Sequence, residues 1–339
     1  MNYKSKKYSY KIVMSIKNTI LIVGGAGFIG SNFVHYYADL HKDSKIIVFD
    51  ALTYAGNLKN LESVKDKIVF VKGDIANKQD VENVFQKYQP DFVVNFAAET
   101  HVDRSILGPE IFLETNVKGT QILLEAAKKY EITKYLQVST DEVYGDLGDT
   151  TGTYFTEKTP IAPNCPYAAS KAAADLFVLS YFETYKLPVV ITRCTNNYGP
   201  YQYPEKLIPF FLMKAMNNEK LPMYGDGKNI RDWLYVKDHC RAIEMVLHKG
   251  KIGDVYNIGG HNEKTNLEIT KLLLDKLGKS HDLITYVTDR QAHDRRYAMD
   301  ASKIEKELGW TPEYTFEEWI DGTIDWYMNN EDWIRSCKK

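Results

Sequence analysis

Thr19-Ile20-Leu21-Ile22-Val23-Gly24-Gly25-Ala26-Gly27-Phe28-Ile29-Gly30-Ser31 runs from a short apolar segment into a helix through spaced glycines. An unbroken run rich in β-branched residues reads as a strand buried on both faces. Glycines let the backbone approach a ligand closely, and residues Asn32 to Leu40 read as a helix whose positive end faces the turn. Strand, glycine turn and helix N-terminus in that order make a diphosphate site. The spacing Gly-x-x-Gly-x-x-Gly differs from the commoner Gly-x-Gly-x-x-Gly, and glycine triplets also occur in ordinary tight turns, so the following strand matters. Ile46-Ile47-Val48-Phe49-Asp50 is a second buried strand ending in an acid, about twenty residues past the last glycine. A carboxylate there would hold the adenosine ribose hydroxyls and repel a 2′-phosphate, which favours NAD over NADP.

The alternation continues outward. Ile68–Val71 reads as a strand ending at Gly73-Asp74-Ile75, followed by a helix over Lys78–Tyr88 and a strand over Asp91–Asn95 ending at Phe96-Ala97-Ala98. A long helix around Pro109–Tyr130, a strand over Tyr135–Ser139, a helix over Tyr167–Tyr185 and a strand over Pro188–Arg193 complete it. Such repetition means βαβ units and an α/β fold: a doubly wound parallel Rossmann sheet, with ligands beyond the strand C-terminal ends. After Cys194 the pattern changes to a loop rich in Asn, Tyr and Pro, and then to helices separated by short strands. The expected organisation is a flexible N-terminal extension over 1–18, an NAD-binding Rossmann domain over 19–195 with part of 230–260 returning to it, and a smaller mixed α/β C-terminal substrate lobe over 196–339.

Composition bounds the partners. The chain has 339 residues, 44% of them hydrophobic, and a formal net charge of −2. It offers no bulk attraction to nucleic acid or to an anionic membrane, so phosphate recognition must be local and the partner a small molecule. Residues 1–18 are polar, with no apolar run long enough for a signal peptide or membrane span. The four cysteines lack disulfide or zinc-ligand spacing, which suits a reducing cytoplasm and argues against a metal.

Two short patterns carry the chemistry. Tyr167 and Lys171 lie four apart in a helical segment, hence on one face, where the ammonium of Lys171 is expected to lower the Tyr167 pKa and make it a base. Thr140-Asp141-Glu142 ends the preceding strand. Two carboxylates in one pocket push one pKa up and leave an acid beside a base. Each pattern alone is common, as a solvated helix pair or a strand-end loop.

The glycine spacing, the strand-end Asp50 and the Thr…Tyr-x-x-x-Lys order together resemble the extended short-chain dehydrogenase/reductases that act on nucleotide sugars. Thr140-Asp141-Glu142 narrows the resemblance to the sugar 4,6-dehydratases, since the related 4-epimerases lack the acid pair. The stretches Arg193–Gln202, Pro204–Pro209, Gly225–Val236 and Tyr256–Gly260 are similar to those of the dehydratases specific for dTDP-glucose. The resemblance covers nearly all the chain after the N-terminal extension. Two departures stand out: the family's usual Arg-Pro-Gly-His-Asp is here Arg290-Gln291-Ala292-His293-Asp294, and its usual Ser before Pro166-Tyr167 is Cys165.

The resemblance implies a homodimer, formed through the helices around Pro109–Tyr130 and Tyr167–Tyr185, and the following roles. Thr140 and Tyr167 bind the sugar oxygen being oxidised, Lys171 binds the nicotinamide ribose, Glu142 takes the C5 proton, and Asp141 protonates the leaving C6 hydroxyl. NAD would contact Gly24, Gly27, Phe28, Ile29, Gly30, Asp50, Leu52, Thr53, Asp74, Ile75, Phe96, Ala97, Ala98, Thr115, Tyr167, Lys171 and Asn197. The nucleotide sugar would contact Thr100, Thr140, Asn196, Lys206, Leu207, Pro222, Tyr224, Arg231, Asn266, His293 and Arg296, with Lys206, Arg231 and Arg296 as diphosphate cations. The implied activity is dehydration of dTDP-glucose, with deoxysugar synthesis such as that of L-rhamnose downstream. Two alternatives stay open at this point: a 4-epimerase or a dehydratase of UDP- or GDP-sugars, and a non-catalytic NAD-binding module.

Overall fold

A computed structural model describes residues 18–337; the extension expected over 1–18 lies outside the described residues except for Asn18. Seven strands form one parallel sheet: β1 (Thr19–Val23), β2 (Lys45–Asp50), β3 (Ile68–Lys72), β4 (Phe92–Asn95), β5 (Lys134–Thr140), β6 (Val189–Cys194) and, from far along the chain, β10 (Val255–Ile258). Their spatial order is β10-β6-β5-β4-β1-β2-β3. The order reverses between β1 and β4, and the crevice above that switch point is where such sheets bind ligands.

Apolar runs bury the sheet on both faces, because every strand side chain must meet either one helix layer or the other. Helices Phe28–Leu40 and Val236–Lys249 share one core with Ile20, Ile22, Val48, Val94 and Leu136. Helices Lys78–Tyr88, Thr120–Lys129 and Pro166–Tyr185 share the other with Leu21, Val23, Ile47, Val93 and Ile191. Helix 236–249 thus joins the first core, and β10 pairs with β6 along Val255–Ile258.

The second lobe has its own core around Tyr198, Phe211, Trp233, Phe316 and Tyr327. It contains two small sheets. β7 (Asn196–Tyr198), β9 (Ile230–Tyr235) and β11 (Glu263–Thr265) form one, and β8 (Leu221–Tyr224) pairs with β12 (Ile284–Val287) in the other. The stretch 196–198, within the expected loop, is a strand because β9 passes beside it.

The long helix expected around Pro109–Tyr130 is helical over 110–129 with a π-turn stretch, Leu113–Gly119, inside it. That stretch brings Asn116 inward. Its Oδ1 accepts the Glu99 N–H at 2.8 Å, and its Nδ2 donates to Glu99 O and to Ser170 Oγ. The loop after β4 is thereby tied to the helix that carries Tyr167.

Candidate active site

A cleft of about 1730 Å³, counted out to its mouth, lies over the strand ends. At its floor Gly24, with φ +74°, turns the chain from β1 into helix 28–40. A Cβ on Gly24 would lie 2.5 Å from Ala97 N, and one on Gly30 would lie 2.2 Å from Gly24 O. Only hydrogen fits at either position. Gly27 caps the helix with no side chain, leaving first-turn N–H groups directed at the cleft.

Asp50 is buried at the end of β2, where Oδ2 accepts the Ala26 N–H at 2.9 Å and Oδ1 accepts the Leu52 N–H at 2.8 Å. It braces the glycine turn and also lines the cleft. Cradle, helix end and carboxylate fit a dinucleotide. Of the residues expected at NAD, all line the cleft except Leu52, which packs on the first core instead. Its backbone sits at φ +55°, held by the Asp50 carboxylate.

The catalytic helix begins at Pro166, with Cys165 as its N-cap, so Tyr167 stands in the first turn and Lys171 one turn on. Tyr167, Lys171 and Thr140 all line the cleft beside Glu142. Lys171 Nζ donates to Val138 O at 2.7 Å. The expectation that Lys171 lowers the Tyr167 pKa is corrected by these surroundings. Burial is the main cause that holds the phenol well above its usual range, and the Glu142 carboxylate adds to it, against a hydrogen bond with Thr140. Burial also lowers the Lys171 pKa, while Asp175 raises it. The protein alone therefore keeps Tyr167 as the neutral phenol.

Asp141 and Glu142 differ in surroundings despite being neighbours. Asp141 is 2% exposed, its Oδ1 accepts the Thr140 hydroxyl at 3.1 Å, and its Oδ2 has no partner. Burial and then the Glu142 charge push its pKa far up. Glu142 is half-buried. Burial raises its pKa too, but Arg290, Lys206 and Arg231 pull it back. One carboxyl keeps a proton and the other sits among cations, which is an acid beside a base.

Among the substrate candidates, Thr100, Thr140, Asn196 and Lys206 line this cleft. Arg231 and His293 lie just beyond the acid pair, within electrostatic reach of one another; Arg231 also acts on Glu142. Arg231 is held over the Tyr297 ring and donates to Asp294 O at 2.9 Å. Pro222 and Tyr224 stand on β8, with Tyr224 edge-on to His293, while Leu207 and Asn266 head their helices. These do not line the cleft itself.

Arg296, expected at the diphosphate, is a correction: its Nε and Nη2 pair with Glu263, and Nη1 donates to Thr150 O and Thr153 O. A buried guanidinium with every nitrogen occupied by protein is a structural anchor. The cation that sequence reasoning missed is Arg290. It is the leading positive influence on Glu142, it pairs with Asp103 at 3.4 Å, and its Nε is buried without a partner. The signal was in the sequence, because Arg290 opens the same loop as His293.

A cleft that cradles a dinucleotide and sets an acid–base carboxylate pair beside Thr140 and Tyr167 defines a nucleotide-sugar dehydratase using NAD. The sequence profile of the family described as GDP-mannose 4,6 dehydratase matches residues 21–323. A dTDP-glucose 4,6-dehydratase of Xanthomonas campestris is 52% identical, over 94% of this chain and 95% of its own. The crystal structure of the Bacillus anthracis dTDP-glucose 4,6-dehydratase in complex with NAD is 54% identical, covers 95% of this chain and 100% of its own, and superposes with a TM-score of 0.88. The corresponding enzyme of Streptomyces venezuelae, also solved with NAD bound, is 47% identical, covers 94% and 100%, and gives 0.90. The chain belongs to the family of dTDP-glucose 4,6-dehydratases.

Proposed function

We propose that this protein converts dTDP-D-glucose to dTDP-4-keto-6-deoxy-D-glucose and water. The observation that carries the reading is the split environment of Asp141 and Glu142 beside Thr140 and Tyr167.

The C5 proton of glucose is not acidic and the C6 hydroxyl leaves badly. A ketone at C4 removes both obstacles, because the C5 proton then lies α to a carbonyl. When bound, NAD supplies the acceptor for the C4 hydride, returns that hydride to C6, and adds a positive ring to the cleft that holds Tyr167. The residues of the chain do the rest. Tyr167 takes the C4 hydroxyl proton while Thr140 hydrogen-bonds the same oxygen. Lys171, anchored on Val138 O one helical turn from Tyr167, holds the nicotinamide ribose when NAD is bound. Glu142 removes the C5 proton, and the neighbouring cations stabilise it as the carboxylate it must be to start. Asp141, kept protonated by burial, gives its proton to the departing C6 hydroxyl. Lys206, Arg231 and Arg290 surround this point and suit the diphosphate of the sugar nucleotide.

An epimerase would need the oxidation but has no task for the acid pair. Incubating the protein with dTDP-, UDP- and GDP-glucose side by side tests the reading. The 4-keto-6-deoxy product should form from dTDP-glucose with much the highest kcat/KM, and conversion to the 4-epimer instead would overturn it.

The active unit is a homodimer. Leu107, Ile111 and Leu113 are 88, 51 and 58% exposed beside the catalytic helix, where Leu176, Phe177 and Tyr185 are also exposed. An apolar band of this kind on two adjacent helices supports pairing with their twins as a four-helix bundle. Cytoplasmic function is supported by Cys165, Cys194 and Cys240, which are buried and outside any disulfide. The product would feed deoxysugar synthesis such as that of L-rhamnose.

A further inference from the structure

On the far side of helix 28–40 from the glycine turn, two histidines and a glutamate meet. Glu244 and His248 lie four apart on helix Val236–Lys249, and His41 is the C-cap of helix Phe28–Leu40. We propose that His41, Glu244 and His248 bind a divalent transition-metal cation, zinc first among them.

The three ligand atoms lie within 4.8 Å of one another, with Glu244 Oε1 at 3.0 Å from His41 Nε2 and 3.8 Å from His248 Nε2. Tetrahedral zinc, with bonds of about 2.0–2.2 Å, separates its ligand atoms by roughly 3.4 Å. The pairs with Glu244 straddle that value, so small rotamer adjustments would close the site. An ion pair accounts for either histidine with Glu244 taken singly. A metal accounts for both imidazole nitrogens converging on the one oxygen, Glu244 Oε1.

Both rings are already oriented by packing. Tyr37 stacks on His41 at 4.1 Å between centroids, and Phe92 meets His248 edge-on at 5.3 Å. The Tyr37 hydroxyl touches His248 Nε2 at 3.5 Å, at the limit of a hydrogen bond and weak enough to yield. The side chains are 27, 15 and 25% exposed for His41, Glu244 and His248, so an ion can enter and water can take a fourth position. Two imidazoles with one carboxylate suit zinc and its neighbours in the first transition row, whereas magnesium and calcium prefer all-oxygen sets. Among the described residues this is the one group of three such ligands; His261, His281 and His293 each pair with a single carboxylate.

None of the three residues lines the catalytic cleft. A bound ion would pin the helix that follows the diphosphate turn to helix 236–249, within one core. Its effect should therefore appear in stability and not in turnover.

The test uses the full chain with NAD, stripped with a chelator, dialysed, and titrated calorimetrically with ZnCl₂. One equivalent should bind at micromolar concentration and raise the Tm, while MgCl₂ should do neither. H41Q and H248Q should each weaken zinc binding at least tenfold with turnover retained, and H281Q should leave binding unchanged. Absence of saturable binding, or binding that survives H41Q and H248Q, would overturn the proposal. If either variant misfolds, cobalt substitution in the unaltered protein decides: intense visible bands of low-coordinate cobalt support the site, and only the weak octahedral spectrum contradicts it.

Discussion

In the proposed mechanism Asp141 and Glu142 have opposite tasks because one is sealed in protein and the other faces cations, a difference of burial that no spacing rule could express. The pH dependence follows from it. Between about pH 4, where an unfolded aspartate titrates, and its raised folded-state pKa, Asp141 is protonated in the folded chain and ionised in the unfolded one. The folded state then binds more protons, so stability falls as pH rises across that window. Asp141→Asn should remove this slope, raising the Tm more at pH 8 than at pH 5 while dehydration is lost; an unchanged Tm difference would show that Asp141 is not held protonated. Tyr167→Phe keeps the ring packed against Phe112 but removes the base. It should cost about 10²–10⁴ in kcat with little change in nucleotide affinity, measured by steady-state kinetics and equilibrium binding. Asp50→Ala should relax discrimination against NADP, and because two backbone N–H groups lose their acceptor it should also destabilise the fold by about 1–3 kcal/mol in urea titration. Selectivity that stays intact would remove Asp50 from the ribose.

The elements themselves were readable wherever a segment's own pattern decides its state. The helix Lys78–Tyr88 begins and ends where the periodicity places it, and the strand Ile68–Lys72 does so to within one residue. What escaped reading depends on partners distant in sequence: β7, β8 and β11 are three or four residues long, and the π-turns of Leu113–Gly119 come with hydrogen bonds from Asn116 to Glu99 and Ser170. The site divides in the same way. The glycine cradle and the Tyr167–Lys171 pair are local patterns, whereas the exchange of Arg296 for Arg290 turned on which way a loop presents its arginines. Both family departures have element-scale consequences. Ala292 sits at φ +49°, a conformation that suits the glycine usual there, so Ala292→Gly should stabilise the loop by up to about 1 kcal/mol. Cys165 caps the catalytic helix with Sγ accepting the Ala168 N–H at 3.5 Å, and Cys165→Ser should strengthen the cap by a few tenths to about 1 kcal/mol with kcat unchanged. Thermal unfolding and turnover check both.

At the scale of the whole molecule, the parallel sheet brings segments more than a hundred residues apart to one edge: the turn at Gly24, the strand end at Asp50, the acid pair after β5, and Asn196–Lys206 at the entry to the second lobe. That convergence lets one cleft run an oxidation, an elimination and a reduction without releasing anything between them. The central claim is therefore an internal return of hydrogen with exchange at one neighbouring carbon, and isotopes read it directly. With dTDP-glucose carrying deuterium at C4, turned over in ordinary water, the label should appear at C6 of the 4-keto-6-deoxy product. With unlabelled substrate in heavy water, solvent deuterium should appear at C5, and Glu142→Gln should slow that product by about 10²–10⁴. Loss of the C4 label to solvent, or full-speed dehydration by Glu142→Gln, would contradict the account.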